Sequence, residues 1–145
     1  MAEIVSGIPE FDIALDRMKA KINAAARKFV LEGAEKIKVE AQKQFSGNSS
    51  NTWNSTAWPI PTRRTGNLES SIYMDSAKEI SSGVWESTTG PHIVYARRIE
   101  LGFHGSGQWP YFTTRPFPYM QPGIERAIPK LDYLFTQTVL AAQEA

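Results

Sequence analysis

The chain has no cysteine, only two histidines, and a net charge of +1 from 16 basic and 15 acidic residues. The first absence excludes disulfides, thiolate nucleophiles and cysteine-based zinc sites together. The second leaves little for metal or imidazole chemistry, since His92 and His104 stand on either side of an expected turn without ligand spacing. The third removes any large global field that would draw the chain to nucleic acid or to an anionic membrane. Long apolar runs are missing too. Nothing approaches the ~20 residues needed to span a bilayer. Met1-Ala2-Glu3-Ile4-Val5 carries an acid where a secretion signal carries lysine or arginine. A protein made in a cytoplasm, with no membrane contact, is the expectation.

What is present is an ordinary globular composition: 145 residues, 41% apolar and 21% charged, enough for a single domain with its own core over 1–145. From Pro9 to Phe45, the residues Phe11, Leu15, Met18, Ile22, Ala25, Phe29, Gly33, Ile37, Ala41 and Phe45 recur at steps of three and four. That spacing predicts a long amphipathic helix over 9–45, with Pro9 in its first turn and Gly47 near its end. As one rod it would be about 55 Å long, more than a compact domain of this size needs, so part of it is expected to reach toward something else. Its other face mixes Arg17, Lys19, Lys21, Arg27, Lys28, Lys36, Lys38 and Lys43 with Asp12, Asp16, Glu32, Glu35 and Glu40. A solvated face with pairs such as Glu32–Lys36 is the plain reading of that mixture, and contact with phosphate or an acidic partner the sharper one.

Residues 46–62 form a polar loop that ends in two prolines. Trp53 and Trp58 either anchor that loop or meet a partner. Two acceptor-like triplets, at Asn48 and Asn54, are accidental without a secretion signal. The region 64–118 reads as a sheet with a short helix. Ser71–Ser76 and Gly83–Thr88 are expected as antiparallel strands joined near Lys78–Ser82, and His92–Gly102 as a strand that finishes helical. Residues 103–109 are glycine-rich, and Trp109–Phe117 reads as an extended segment kept to an edge by its prolines. Over 121–143, Ile124, Ile128, Leu131, Phe135 and Val139 predict a C-terminal helix, kinked or restarted at Pro129. The fold class is α+β: a small, mostly antiparallel sheet of about four strands packed with a long N-terminal and a C-terminal helix.

Reactive constellations are hard to find. His104-Gly105-Ser106-Gly107 has an oxyanion-loop flavour, but no Gly-x-Ser-x-Gly elbow supplies a nucleophile. Glu86 and Glu100 would have to meet across a sheet to act as an acid–base pair, and nothing around them predicts a cleft or a raised pKa. Gly102, Gly105 and Gly107 lack the spacing and the lysine of a phosphate-binding loop. The expectation is a protein that is not an enzyme, with no catalytic residue, cofactor or metal ligand.

Three short pieces stand in order: Arg64-Thr65-Gly66-Asn67-Leu68-Glu69-Ser70-Ser71-Ile72, Tyr95-Ala96-Arg97-Arg98-Ile99-Glu100-Leu101-Gly102, and Arg115-Pro116-Phe117-Pro118. Together they resemble the tail-completion proteins, also called neck or head–tail joining proteins, of long-tailed bacteriophages. In that family a Thr-Gly-x-Leu-x-x-Ser-Ile piece enters the first strand, a Tyr-Ala-x-x-aliphatic-Glu-x-Gly piece follows the second, and an Arg-Pro-Phe piece leads into the last helix. Two features depart from the family: Phe103-His104-Gly105-Ser106-Gly107 replaces a small hydroxyl residue after Gly102, and the 46–62 loop is longer and more aromatic.

Folding roles follow for these residues. Gly66 permits a left-handed turn, Leu68 and Ile72 face the core, Tyr95 and Ile99 share a helical face, and Phe117 fills the seam before the last helix. Glu100 and Arg115 are candidates for a charge pair.

The resemblance implies a structural virion protein at the top of the tail, a subunit of a homo-oligomeric ring, usually a hexamer. Such a ring meets the head-side connector or stopper on one side and the tail terminator or tail-tube proteins on the other. DNA passes through its channel without sequence-specific binding, and the lysines of the first helix are candidates to line it. The 9–45 helix and the 46–62 and 103–109 loops are the implied contact surfaces, with Trp53, Trp58, Phe103 and Trp109 as candidate assembly contacts. A tail-terminator or head-closure (stopper) ring protein is the nearest alternative, and a small nucleic-acid-binding protein a more distant one.

Overall fold

The computed structural model describes residues 9–45, 66–104, 113–114 and 116–144. Helix α1 (Pro9–Gln42) spans 34 residues, about 51 Å, with Pro9 the first of the described residues. It leaves the helix through a tighter turn, with Gln44 N–H donating to the Ala41 carbonyl at 3.1 Å, which brings Phe45 into the core. Then come a one-turn helix α2 (Asn67–Ser70), strands β1 (Ile72–Met74), β2 (Lys78–Ser81), β3 (Val84–Glu86) and β4 (Thr89–Pro91), and helix α3 (Ala96–Leu101). Strands β5 (Phe103–His104) and β6 (Thr113–Thr114) precede the 25-residue helix α4 (Met120–Glu144).

The α+β class is as the sequence predicts. The strands pair antiparallel as β1–β4, β2–β3 and β5–β6. The first two pairs are nested, Ile72 opposite Pro91 and Lys78 opposite Glu86, so they form one long hairpin that turns at Ser82–Gly83. The segment Lys78–Ser82, expected as the connection, is strand up to Ser81, and the strand of the Ser71–Ser76 arm pairs with Thr89–Pro91 and not with Gly83–Thr88, because the ladder continues past the expected turn. Where the ladder lapses, Asp75 N–H donates to the Thr88 carbonyl at 2.9 Å and Ser87 Oγ to the Asp75 carbonyl at 2.7 Å, and the two arms stay joined. The hairpin lies along α1. Thr89 Oγ1 donates to the Ala34 carbonyl at 3.2 Å, Trp85 Nε1 donates to Asn23 Oδ1 at 2.6 Å, and the Arg27 guanidinium sits 5.8 Å from the Trp85 ring centre.

Helices α1 and α4 run antiparallel. Gly123 meets Ala41, Gly33 meets Leu131, and Phe29 meets Phe135 edge to face with ring centres 5.4 Å apart. This register places the last residue of α4, Glu144, opposite Ala20, so the first turns of α1 run beyond the end of its partner. Pro122 falls in the first turn of α4, where its missing N–H has no helical partner to lose. Of the kink or restart expected at Pro129, the restart does not occur: α4 continues through the proline. Pro129 faces solvent, while Ala127 and Leu131 on either side pack on α1, and this packing outweighs one lost backbone bond. No helix among the described residues is long and apolar enough to cross a membrane.

Candidate functional site

The three ordered pieces of sequence meet at one end of the molecule. Gly66 adopts φ 77°, which turns the chain into α2. Ser71 Oγ then donates to the Leu68 carbonyl at 2.7 Å, and Ile72 enters the core at the start of β1. In that core Ile72 packs with Ala41, Phe45 and Tyr119, and Leu68, Ile99 and Met120 close around them. Gln42 Nε2 reaches the Glu69 carbonyl at 3.3 Å, tying α2 to the end of α1.

The second piece supplies α3, and its glutamate caps α4 from outside that helix. Glu100 Oε2 accepts from the backbone N–H groups of Tyr119 at 2.8 Å and Met120 at 3.0 Å, while Oε1 accepts from that of Gln121 at 3.0 Å. These donors have no carbonyl partner within α4, and a carboxylate also complements the positive end of the helix dipole. Phe117 N–H donates to the Ile99 carbonyl at 2.7 Å, and Tyr119 Oη lies 3.4 Å from the Ala96 carbonyl. Gly102 ends α3 at φ 76°, ψ 174°, a conformation open essentially to glycine alone, and this turns the chain away into β5.

Tyr119 is the residue that sequence reasoning missed. It is 1% exposed, its ring centre lies 5.1 Å from that of Phe45, and burial beside the Glu100 carboxylate pushes its phenol up to about 12. Nothing in Pro118-Tyr119-Met120 marks it, because its burial depends on three distant segments converging. The plug expected of Phe117 is filled by Tyr119, with Phe117 itself half-buried and bonded through its backbone. Tyr95, expected to bury its ring with Ile99, is 42% exposed, and Ala96 is the buried member of the piece. Tyr95 stands at the cap of α3 with its carbonyl accepting from Ile99 N–H at 3.2 Å, and it is Ile99 that packs on the core. Pro116 is exposed. Thr65 and Arg115 lie outside the described residues, as do Trp53, Trp58, Trp109 and the side chain of Phe103. The Glu100–Arg115 pair therefore lies outside them too.

Other groups with chemical potential are engaged structurally. Glu40 is buried between Lys43, at 2.9 Å, and Lys130 of α4. The hydrogen bonds from Lys130 and then Lys43 hold its carboxyl below the usual carboxylate range despite burial. Glu32, Glu35 and Lys36 line the same open depression, and the exposed helix pair there is Lys28–Glu32 at 3.9 Å. His92 stacks on Tyr73 across the β1–β4 pair. Glu86 stands opposite Lys78 in the hairpin, far in role from the capping Glu100. Among the described residues no group of three or more His, Cys, Asp or Glu side chains is placed to hold a metal ion.

The second feature is an apolar surface. In α4 the buried positions are Gly123, Ala127 and Thr138, while Ile124, Ile128, Phe135 and Val139 of the predicted stripe stay exposed. Close approach explains the difference: the helices touch through small residues, and the larger apolar side chains flank that line. In α1 the predicted stripe is buried at Gly33, Ala41 and Phe45, with Ile37 half-buried, but open toward the start, where Phe11 is 43% exposed and Met18 and Ile22 are each 59% exposed. Neither a family model, nor a curated protein, nor a solved structure matches the chain.

Proposed function

We propose that this chain is a structural virion protein, a subunit of the neck or tail-completion ring that joins the tail of a long-tailed bacteriophage to its head connector. One observation carries the reading. The three sequence pieces that suggest the family, separated along the chain, converge on a single junction in which Ile72, Ile99, Glu100 and the 117–121 backbone depend on one another. A shared pattern of that kind has a physical reason to be kept as a set, because it fixes how α4 leaves the sheet and lies on α1.

The reading makes the protein's work assembly and not catalysis. Its partners are further copies of itself in a ring, a connector or stopper on the head side and the terminator or tube on the tail side, with DNA passing through. Extended apolar helix faces suit repeated subunit contacts. In the phage that carries it, a stop codon in this gene is expected to leave DNA-filled heads and finished tails unjoined, as seen by electron microscopy. Intact infectious particles from the same cells would overturn the reading.

A further inference from the structure

The start of α1 carries an apolar stripe that is self-complementary. Phe11, Leu15, Met18 and Ile22 continue the face that is buried farther along the same helix, yet three of the four are exposed and Leu15 is half-buried. The register with α4 ends opposite Ala20, and Ile22 keeps 59% of its surface beside the last turns of α4. The steps of four, three and four are those of alternating core positions in a coiled coil, and an antiparallel partner places each such position against the other kind. Laid against a second copy about a two-fold axis between Asp16 and Arg17, Phe11 falls opposite Ile22 of the partner and Leu15 opposite its Met18. The two inner layers, Leu15 against Met18, close clear of α4, and the two outer ones, Phe11 against Ile22, close over the part of Ile22 that the last turn of α4 leaves open.

The flanking charges select the partner and its direction. Asp12 and Lys19 occupy equivalent flanking positions that face one another in the antiparallel pair, so Asp12 of each copy meets Lys19 of the other and the ion pair forms twice. In a parallel pair the residue facing Lys19 is Ala14, and this ion pair does not form. Exposed Val139 and Leu140 at the end of α4 extend the apolar surface along which the second helix would run.

We infer that free copies of this chain pair through residues 11–22 of α1 as an antiparallel two-fold dimer. The inference is independent of the neck-ring reading, and a closed pair of this kind covers the stripe in copies not yet built into a larger assembly. Four layers make a short contact, so the pairing depends on concentration.

The absence of cysteine makes the test direct, since any introduced thiol is the only kind present. A mixture of Phe11→Cys and Ile22→Cys chains is expected to form the mixed disulfide on mild oxidation, while Phe11→Cys alone does not link to itself. Self-linking of Phe11→Cys, or a full-length chain that stays monomeric by light scattering at its highest soluble concentration, would overturn the proposal. Asp12→Lys is expected to weaken dimerisation by about tenfold, and Asp12→Lys with Lys19→Asp to restore it. Failure of the double exchange to restore pairing, with helix content unchanged by circular dichroism, would also overturn it.

Discussion

The two ends of the α1–α4 layer are built from the same kind of sequence and have opposite fates. Toward the end of α1, Gly33, Ala34, Ala41 and Phe45 are buried against α4, β1 and the Tyr119 junction. Toward its start, Phe11, Met18 and Ile22 lie on the same stripe with much of their surface in water. Periodicity is a property of the helix, whereas coverage is a property of what the topology places over it. At the closed end four elements arrive together, fixed by the Glu100 cap. At the open end α4 stops opposite Ala20, and the hairpin's last described hold on α1 is Trp85 at Asn23.

The strongest way to break the comparison is to force the closed end apart. A Cβ at Gly123 would lie 2.6 Å from Ala41 Cα and 2.8 Å from its backbone nitrogen, and backbone atoms cannot swing aside. Gly123→Val is expected to cost about 3 kcal/mol or more, read as a lowered urea midpoint, because the helices must separate along their whole contact. Met18→Ser at the open end is expected to change the same midpoint by less than about 0.5 kcal/mol, measured at concentrations where the chain is monomeric. Equal costs at the two sites would mean that the open end is covered.

How much of this was legible in the sequence follows the same division. The existence and extent of α1 and α4 could be read because each is long and periodic, and the hairpin because its arms are rich in β-formers around a turn. Which face of α4 is buried could not be read. The large residues Ile124, Ile128, Phe135 and Val139 give the stronger hydrophobic signal, but contact distance is set by Gly123 and Ala127, whose small size signals little. Gly66, Leu68 and Ile72 take the folding places expected of them, whereas Ile99 packs on the core without the Tyr95 ring. Glu100 was legible as a motif residue and not as a cap, because its three donors stand nineteen to twenty-one positions away. Nothing local marks a long-range cap.

Glu100 therefore offers the next largest effect. Glu100→Ala leaves three amide donors at the start of α4 without their acceptor and removes a negative charge from that helix end, a loss expected to total about 2–3 kcal/mol. Glu100→Gln keeps one acceptor oxygen and is expected to lose about half as much. Hydrogen exchange then sharpens the comparison: protection should fall first at Met120 and Gln121, with the amides of α1 before Asn23 unchanged. Loss spread evenly over both ends would deny Glu100 its local role.

A smaller effect than the loss of the Glu100 cap tests whether the closed end is dry. The Tyr119 phenol ordinarily titrates near 10 and is raised to about 12 by burial and by the nearby Glu100 carboxylate. Between those values the unfolded chain gives up the proton while the folded chain keeps it, so the unfolded state binds fewer protons and stability falls as pH rises. Below pH 10 both states hold the proton and the effect vanishes. At pH 11 the loss from this one group is about 1.4 kcal/mol. Tyr119→Phe removes it, together with a long hydrogen bond of 3.4 Å to the Ala96 carbonyl that contributes little. The variant should match or fall slightly below the parent in stability at pH 7 and exceed it at pH 11, each measured by urea unfolding. Contributions common to the two proteins cancel, so the difference between the two curves reports on Tyr119. Parallel curves from pH 9 to pH 11 would mean that water reaches the phenol and that the junction is no drier than the exposed start of α1.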